Sequence, residues 1–152
     1  MIHCYPRNLF SRQYDAVAVP GGALGEVNFR AMTEQGSIVW DNVEWQVTKH
    51  GPASGYWTLS RGKEYAADAQ KDSAMKRHVR VETKDLELEL RPRSVFTSTF
   101  EVFDGQLRVG VIKRANVFSR RSYLEFDAEV PELIQLFCFW MVRMLWRRSQ
   151  NG

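Results

Sequence analysis

Leu136-Phe137-Cys138-Phe139-Trp140-Met141-Val142 is the stretch that decides the fold. It lies within Glu132 to Arg148, behind Asp127-Ala128-Glu129-Val130-Pro131. Pro131 suits the first turn of an α-helix, Glu129 and Glu132 complement its positive end, and Arg147 and Arg148 its negative end. An unbroken apolar run of this length covers every face of a helix, because one turn takes about 3.6 residues. Such a helix belongs inside a protein or inside a membrane. Leu133 to Trp146 reaches roughly 21 Å as a helix, short of the roughly 30 Å of a hydrocarbon core. Arg143 interrupts the run, at about 2.5–3.5 kcal/mol in mid-bilayer. Burying the apolar side chains inside a protein gains on the order of 20–35 kcal/mol gross, as an upper bound. A core helix over 132–148 is the prediction, and Arg143 then needs an interior partner, with a strand glutamate the first expectation.

What encloses that helix is written upstream. Leu86-Glu87-Leu88-Glu89-Leu90 alternates strictly, with leucines on one face and carboxylates on the other. Val43-Glu44-Trp45-Gln46-Val47 and Leu107-Arg108-Val109-Gly110-Val111 read the same way. Further strands are expected at 14–19, 27–32, 37–40, 56–59, 65–69, 78–82, 100–103 and 123–126. Asp104-Gly105 marks a hairpin, and Pro20-Gly21-Gly22, His50-Gly51-Pro52, Arg61-Gly62 and Arg91-Pro92 mark other turns. Short strands at such spacing, with no helical period between them, predict a mainly β chain. The expected architecture is a closed antiparallel β-barrel enclosing a hydrophobic C-terminal helix. Residues 1–13 read as an N-terminal extension and 14–152 as one domain.

Composition agrees. The 152 residues are 44% hydrophobic and 26% charged, with 21 Lys+Arg against 18 Asp+Glu for a formal charge of +3. This excludes collagen, coiled coils and disordered chains, and it permits an anionic partner without requiring one. Cys4 and Cys138 cannot make a disulfide framework, and no signal-peptide pattern opens the chain, so a cytoplasmic setting is expected, with peripheral attachment to a membrane open.

A resemblance rests on several short motifs. Gly55-Tyr56-Trp57-Thr58-Leu59 precedes Ala66-Ala67-Asp68-Ala69-Gln70-Lys71. Asp104-Gly105 leads through Leu107-Arg108-Val109-Gly110-Val111-Ile112. Arg120-Arg121 precedes the last strand, and Val130-Pro131-Glu132-Leu133 opens the helix. Over roughly 14–148 the chain resembles the tubby C-terminal domain-like superfamily, in its phospholipid scramblase and LURP-one-related branch. The resemblance implies a barrel threaded by its last helix and a phospholipid-facing role. Scramblases are proposed to bind calcium through an acidic segment before that helix. Here only Asp127, Glu129 and Glu132 stand there as weak calcium candidates, whereas calcium takes six to eight oxygens. No other metal site and no cofactor is expected.

No catalytic signature is present: His3, His50 and His78 lack ligand partners at metal spacing, and no nucleophile elbow or phosphate loop occurs. Gln106 to Leu124 holds Arg108, Lys113, Arg114, Arg120 and Arg121 with no acidic residue. Lys113, Arg114, Arg120 and Arg121 are candidates for lipid headgroups, and Val117 and Phe118 for a membrane-inserting tip; the plain alternative is a solvated basic edge. The first functional expectation is a non-enzymatic, membrane-peripheral phospholipid-binding module. The alternative is a soluble protein-interaction or scaffold domain without lipid binding. A ligand-binding barrel ranks third because the helix fills its cavity, and nucleic acid ranks below lipid as a partner.

Overall fold

The computed structural model describes residues 1–8, 12–71, 77–116 and 118–151. Twelve strands follow one another: β1 (Ile2–Pro6), β2 (Gln13–Ala18), β3 (Leu24–Phe29), β4 (Gly36–Trp40), β5 (Val43–Lys49), β6 (Tyr56–Arg61), β7 (Glu64–Gln70), β8 (Val79–Glu82), β9 (Glu87–Pro92), β10 (Phe100–Asp104), β11 (Leu107–Arg114) and β12 (Ser122–Phe126). Each pairs antiparallel with the next, and β12 pairs with β1, closing the barrel. The helix α1 (Glu132–Asn151) comes last.

Closure needs a strand the sequence did not announce. The segment read as an extension supplies a wall strand: Ile2–Pro6 enters the barrel as β1, with Ile2 opposite both Ala18 and Leu124. Without it, β2 and β12 would keep two open rows of backbone donors and acceptors. Ile2 and Cys4 point inward and are buried, while His3 faces outward against Tyr123.

The alternation at 86–90 gives what it promised. Leu88 and Leu90 are fully buried, while Glu89 on the outer face takes a hydrogen bond from Arg91. Asp41 and Asn42 both have positive φ, forming a two-residue turn whose twist matches the strands it joins. In β11 the inward face changes parity. A bulge lets Val109 and then Ile112 face inward, with Gly110 beneath the Phe126 ring, where a Cβ would come within 2.5 Å. Val111, expected inside, therefore pairs with Glu101 on the outer face, while Leu107 is exposed at the start of the strand, beside the turn at Gly105.

Twelve strands close a lumen wider than wall side chains can fill, and a helix of roughly 10–12 Å diameter fits it. Leu136 through Val142 are all at 0% exposure, which only burial on every side allows. Ile38, Trp57, Leu59, Leu88, Phe100 and Leu124 join them in a single core. Among the described residues no helix is long and apolar enough to cross a membrane.

Candidate functional site

A simple meander sends its loops alternately to the two ends of the barrel. One end collects, among the described residues, 7, 8, 12, 30–35, 50–55, 71, 77, 78, 93–99, 115, 116 and 118–121, and there the helix C-terminus leaves. The other collects the remaining loops and the segment 127–131 that leads the helix in. Described residues of the exit-end loops include Arg7, Arg12, Arg30, Lys71, Arg77, Arg93, Arg120 and Arg121, against Glu34 alone. The entry end carries Asp41, Asp85, Asp127, Glu129 and Glu132 against Lys63 and Lys84. The formal charge of +3 thus hides a barrel that is basic at one end and acidic at the other. This polarity matches the helix, whose negative end is the one that emerges among arginines.

The exit end has two layers. Inside the mouth, cations lie over aromatic rings: Arg114 over Trp146 at 4.6 Å, Arg77 over Phe100 at 5.2 Å, Lys49 over Trp57 at 5.4 Å and Arg147 over Phe29 at 5.9 Å. Their alkyl stems cover apolar surface while their heads stay polar. Hydrogen bonds tie the helix to this rim. Trp140 donates from Nε1 to the Asn28 carbonyl at 3.0 Å and Trp146 to the Ser98 carbonyl at 2.9 Å. Arg147 donates to the Thr33 carbonyl at 2.8 Å, and Arg148 Nε to Glu34 Oε1 at 2.8 Å. Glu34 also holds Lys49 at 3.2 Å. Burial works to raise the Glu34 pKa, yet the hydrogen bonds and charges of Arg148 and Lys49 hold it below the usual carboxylate range.

Arg143 does not find the expected glutamate. Its Nε donates to the Tyr14 hydroxyl at 2.6 Å, from helix to β2. Tyr14 is itself wedged edge-on against Phe29 and Phe139. The strand glutamates face outward because alternation assigns the inner face to apolar side chains.

The outer layer is a set of apolar tips. Met32, Phe96 and Phe118 are 101%, 97% and 96% exposed, and Val95 is 78% exposed. All four sit on exit-end loops. Two of these loops repeat one design: Ser94-Val95-Phe96-Thr97 and Asn116-Val117-Phe118-Ser119. In each, the last residue's N–H donates to the first residue's carbonyl, at 3.4 and 3.2 Å. The phenylalanine N–H donates to the first side chain, Ser94 Oγ at 3.4 Å and Asn116 Oδ1 at 3.0 Å. Met32 holds a φ of 58°, a left-handed conformation that disfavours a side chain of this size.

The sequence-derived candidates divide accordingly. Phe118 stands on a tip, with Arg120 and Arg121 exposed beside it; Val117 lies outside the described residues. Lys113 and Arg114 are separated by the pleat: Lys113 is on the outer wall, 3.4 Å from Glu125, and Arg114 is inside the mouth. Asp127, Glu129 and Glu132 lie at the entry end, where the Asp127 carbonyl accepts from the Val130 N–H in a turn. Among the described residues no group of three or more His, Cys, Asp or Glu side chains is placed to hold a metal. Met32, Val95, Phe96, Arg30 and Arg93 were missed. For Arg93, Val95 and Phe96 the signal was present as the repeated Val-Phe behind an arginine, whereas Arg30-Ala31-Met32 carries no such pattern, and only barrel topology puts these loops on one end.

Neither a family model, nor a curated protein, nor a solved structure matches the chain.

Proposed function

We propose that the protein is a non-enzymatic module that docks on anionic phospholipid surfaces through the helix-exit end of its barrel. The observation that carries this reading is the coincidence, on that one end, of the fully exposed Met32, Phe96 and Phe118 with the basic loops. Exposure alone does not choose an end, since Leu24 and Leu107 are 72% and 63% exposed at the other. Charge does, because the entry end is acidic and anionic lipid repels it. Arg30, Arg93, Arg120 and Arg121 are exposed on the same loops as the tips, and each Lys or Arg near an anionic surface contributes about 1 kcal/mol. A phenylalanine taken out of water contributes about 1.5–3 kcal/mol at full burial. Neither term suffices alone, and together they describe reversible, salt-sensitive attachment. The tubby-like resemblance points the same way. Lipid translocation is not part of the proposal, because the apolar helix is spent inside the barrel.

Vesicle flotation tests it. Wild-type protein should float with anionic and not neutral vesicles, and high salt should release it. Phe96→Ala with Phe118→Ala should lower partitioning at least tenfold, as should Arg120→Glu with Arg121→Glu, both at unchanged near-ultraviolet circular dichroism. Protein that ignores every vesicle would overturn the reading and turn attention to the same tips as a protein-binding surface.

A further inference from the structure

The barrel mouth holds a site of narrower chemistry than the loop tips. Arg12, Arg143 and Arg147 converge with Tyr14 and Phe29 around a notch of about 30 Å³, room for a water-sized group such as one oxygen of an anion. Arg143 spends its Nε on Tyr14, yet its Nη1 is buried and has no acceptor among the described residues. Glu34, the carboxylate of this rim, is already shared by Arg148 and Lys49. Among the described residues no carboxylate forms an ion pair with Arg12, Arg143 or Arg147, and Glu34 acts on Arg147 only at longer range. Burial pulls the Arg147 pKa down; Glu34 opposes this, and neighbouring Arg143, Arg12 and Arg148 add to the fall. Arg114 is lowered by burial and then by Arg143.

We infer that Arg12, Arg143 and Arg147 form a site for a phosphate group. Planar guanidiniums present paired donors that match tetrahedral oxyanions. A phosphate monoester brings about −1.5 to −2 charges and three acceptor oxygens, where a carboxylate brings one charge. Bound here, it gives Arg143 Nη1 its acceptor and links the helix to the β1–β2 loop and to β2. The phosphate comes from a lipid headgroup or from solution. The lipid source rests on the docking reading above; the site itself does not.

The test uses the full chain. Thermal unfolding is followed as inorganic phosphate replaces chloride at constant ionic strength, with vesicles of phosphatidic acid or phosphatidylserine at matched charge as the second arm. Phosphate should raise the melting temperature saturably. Arg147→Gln and Arg12→Gln should each weaken the midpoint by about 10- to 100-fold. Arg143→Lys, which keeps the charge and loses the fork, should weaken it as well. An equal response to phosphate in wild type and variants is a solvent effect and overturns the site. Phosphate binding without flotation supports the site with a soluble ligand and overturns docking. Flotation that neither prefers phosphatidic acid nor changes in Arg147→Gln, with no phosphate response, keeps docking and overturns the site.

Discussion

Replacing Tyr14 by Phe removes one oxygen and leaves its ring packed against Phe29 and Phe139. That oxygen accepts from Arg143 Nε at 2.6 Å, and Nη1 of the same guanidinium already has no acceptor among the described residues. Orphaning a charged donor in such a place costs about 1.5–3 kcal/mol. A domain of this size loses about 2–4 °C per kcal/mol, so the melting temperature should fall by roughly 3–12 °C. Arg143→Met removes the charge and keeps an unbranched stem within the apolar helix. In that background Tyr14→Phe has no partner left to lose and should be nearly neutral. A double-mutant cycle, run by urea denaturation with near-ultraviolet circular dichroism, should therefore return a coupling of about 1.5–3 kcal/mol. A coupling below about 0.5 kcal/mol would show that the guanidinium is held elsewhere, and the account of how a charge survives in this helix would fail.

Gly36→Ala should destabilise by about 1–3 kcal/mol in urea, because its Cβ would overlap the Asn28 carbonyl oxygen and lie 2.9 Å from Trp140 Nε1; an unchanged midpoint would mean that the wall does not press on the helix there. Acid should weaken the rim. The folded pKa of Glu34 is lowered, so its contribution is present above its unfolded value near 4.3 and is lost as pH falls below that. Melting temperature against pH should consequently be flatter below about pH 4.5 in Glu34→Gln than in wild type, and parallel curves would remove Glu34 from the acid response.

Much of this architecture was legible in one dimension. The all-round apolar run from Leu136 to Val142 can be satisfied only by burial on every side, and the alternation at Leu86 to Leu90 marks a wall with one wet face. Burial and pleat are local consequences of residue order, so both survive the step from sequence to structure. The first strand was not legible, since Ile2 and Cys4 are too short an apolar pattern and only the open edges of β2 and β12 make them a strand. Nor was the parity change in β11, which depends on a bulge against β10. The basic run around Arg120 was visible, but the pleat sends Lys113 and Arg114 to opposite faces, and pairing decides what each meets. Arg143 announced a need for a partner without naming Tyr14, which is 129 positions away. The candidate site is the least local feature of all. Arg12, Met32, Phe96, Phe118 and Arg147 are scattered along the chain, and only the alternation of a closed meander brings every second loop to the end where the helix leaves.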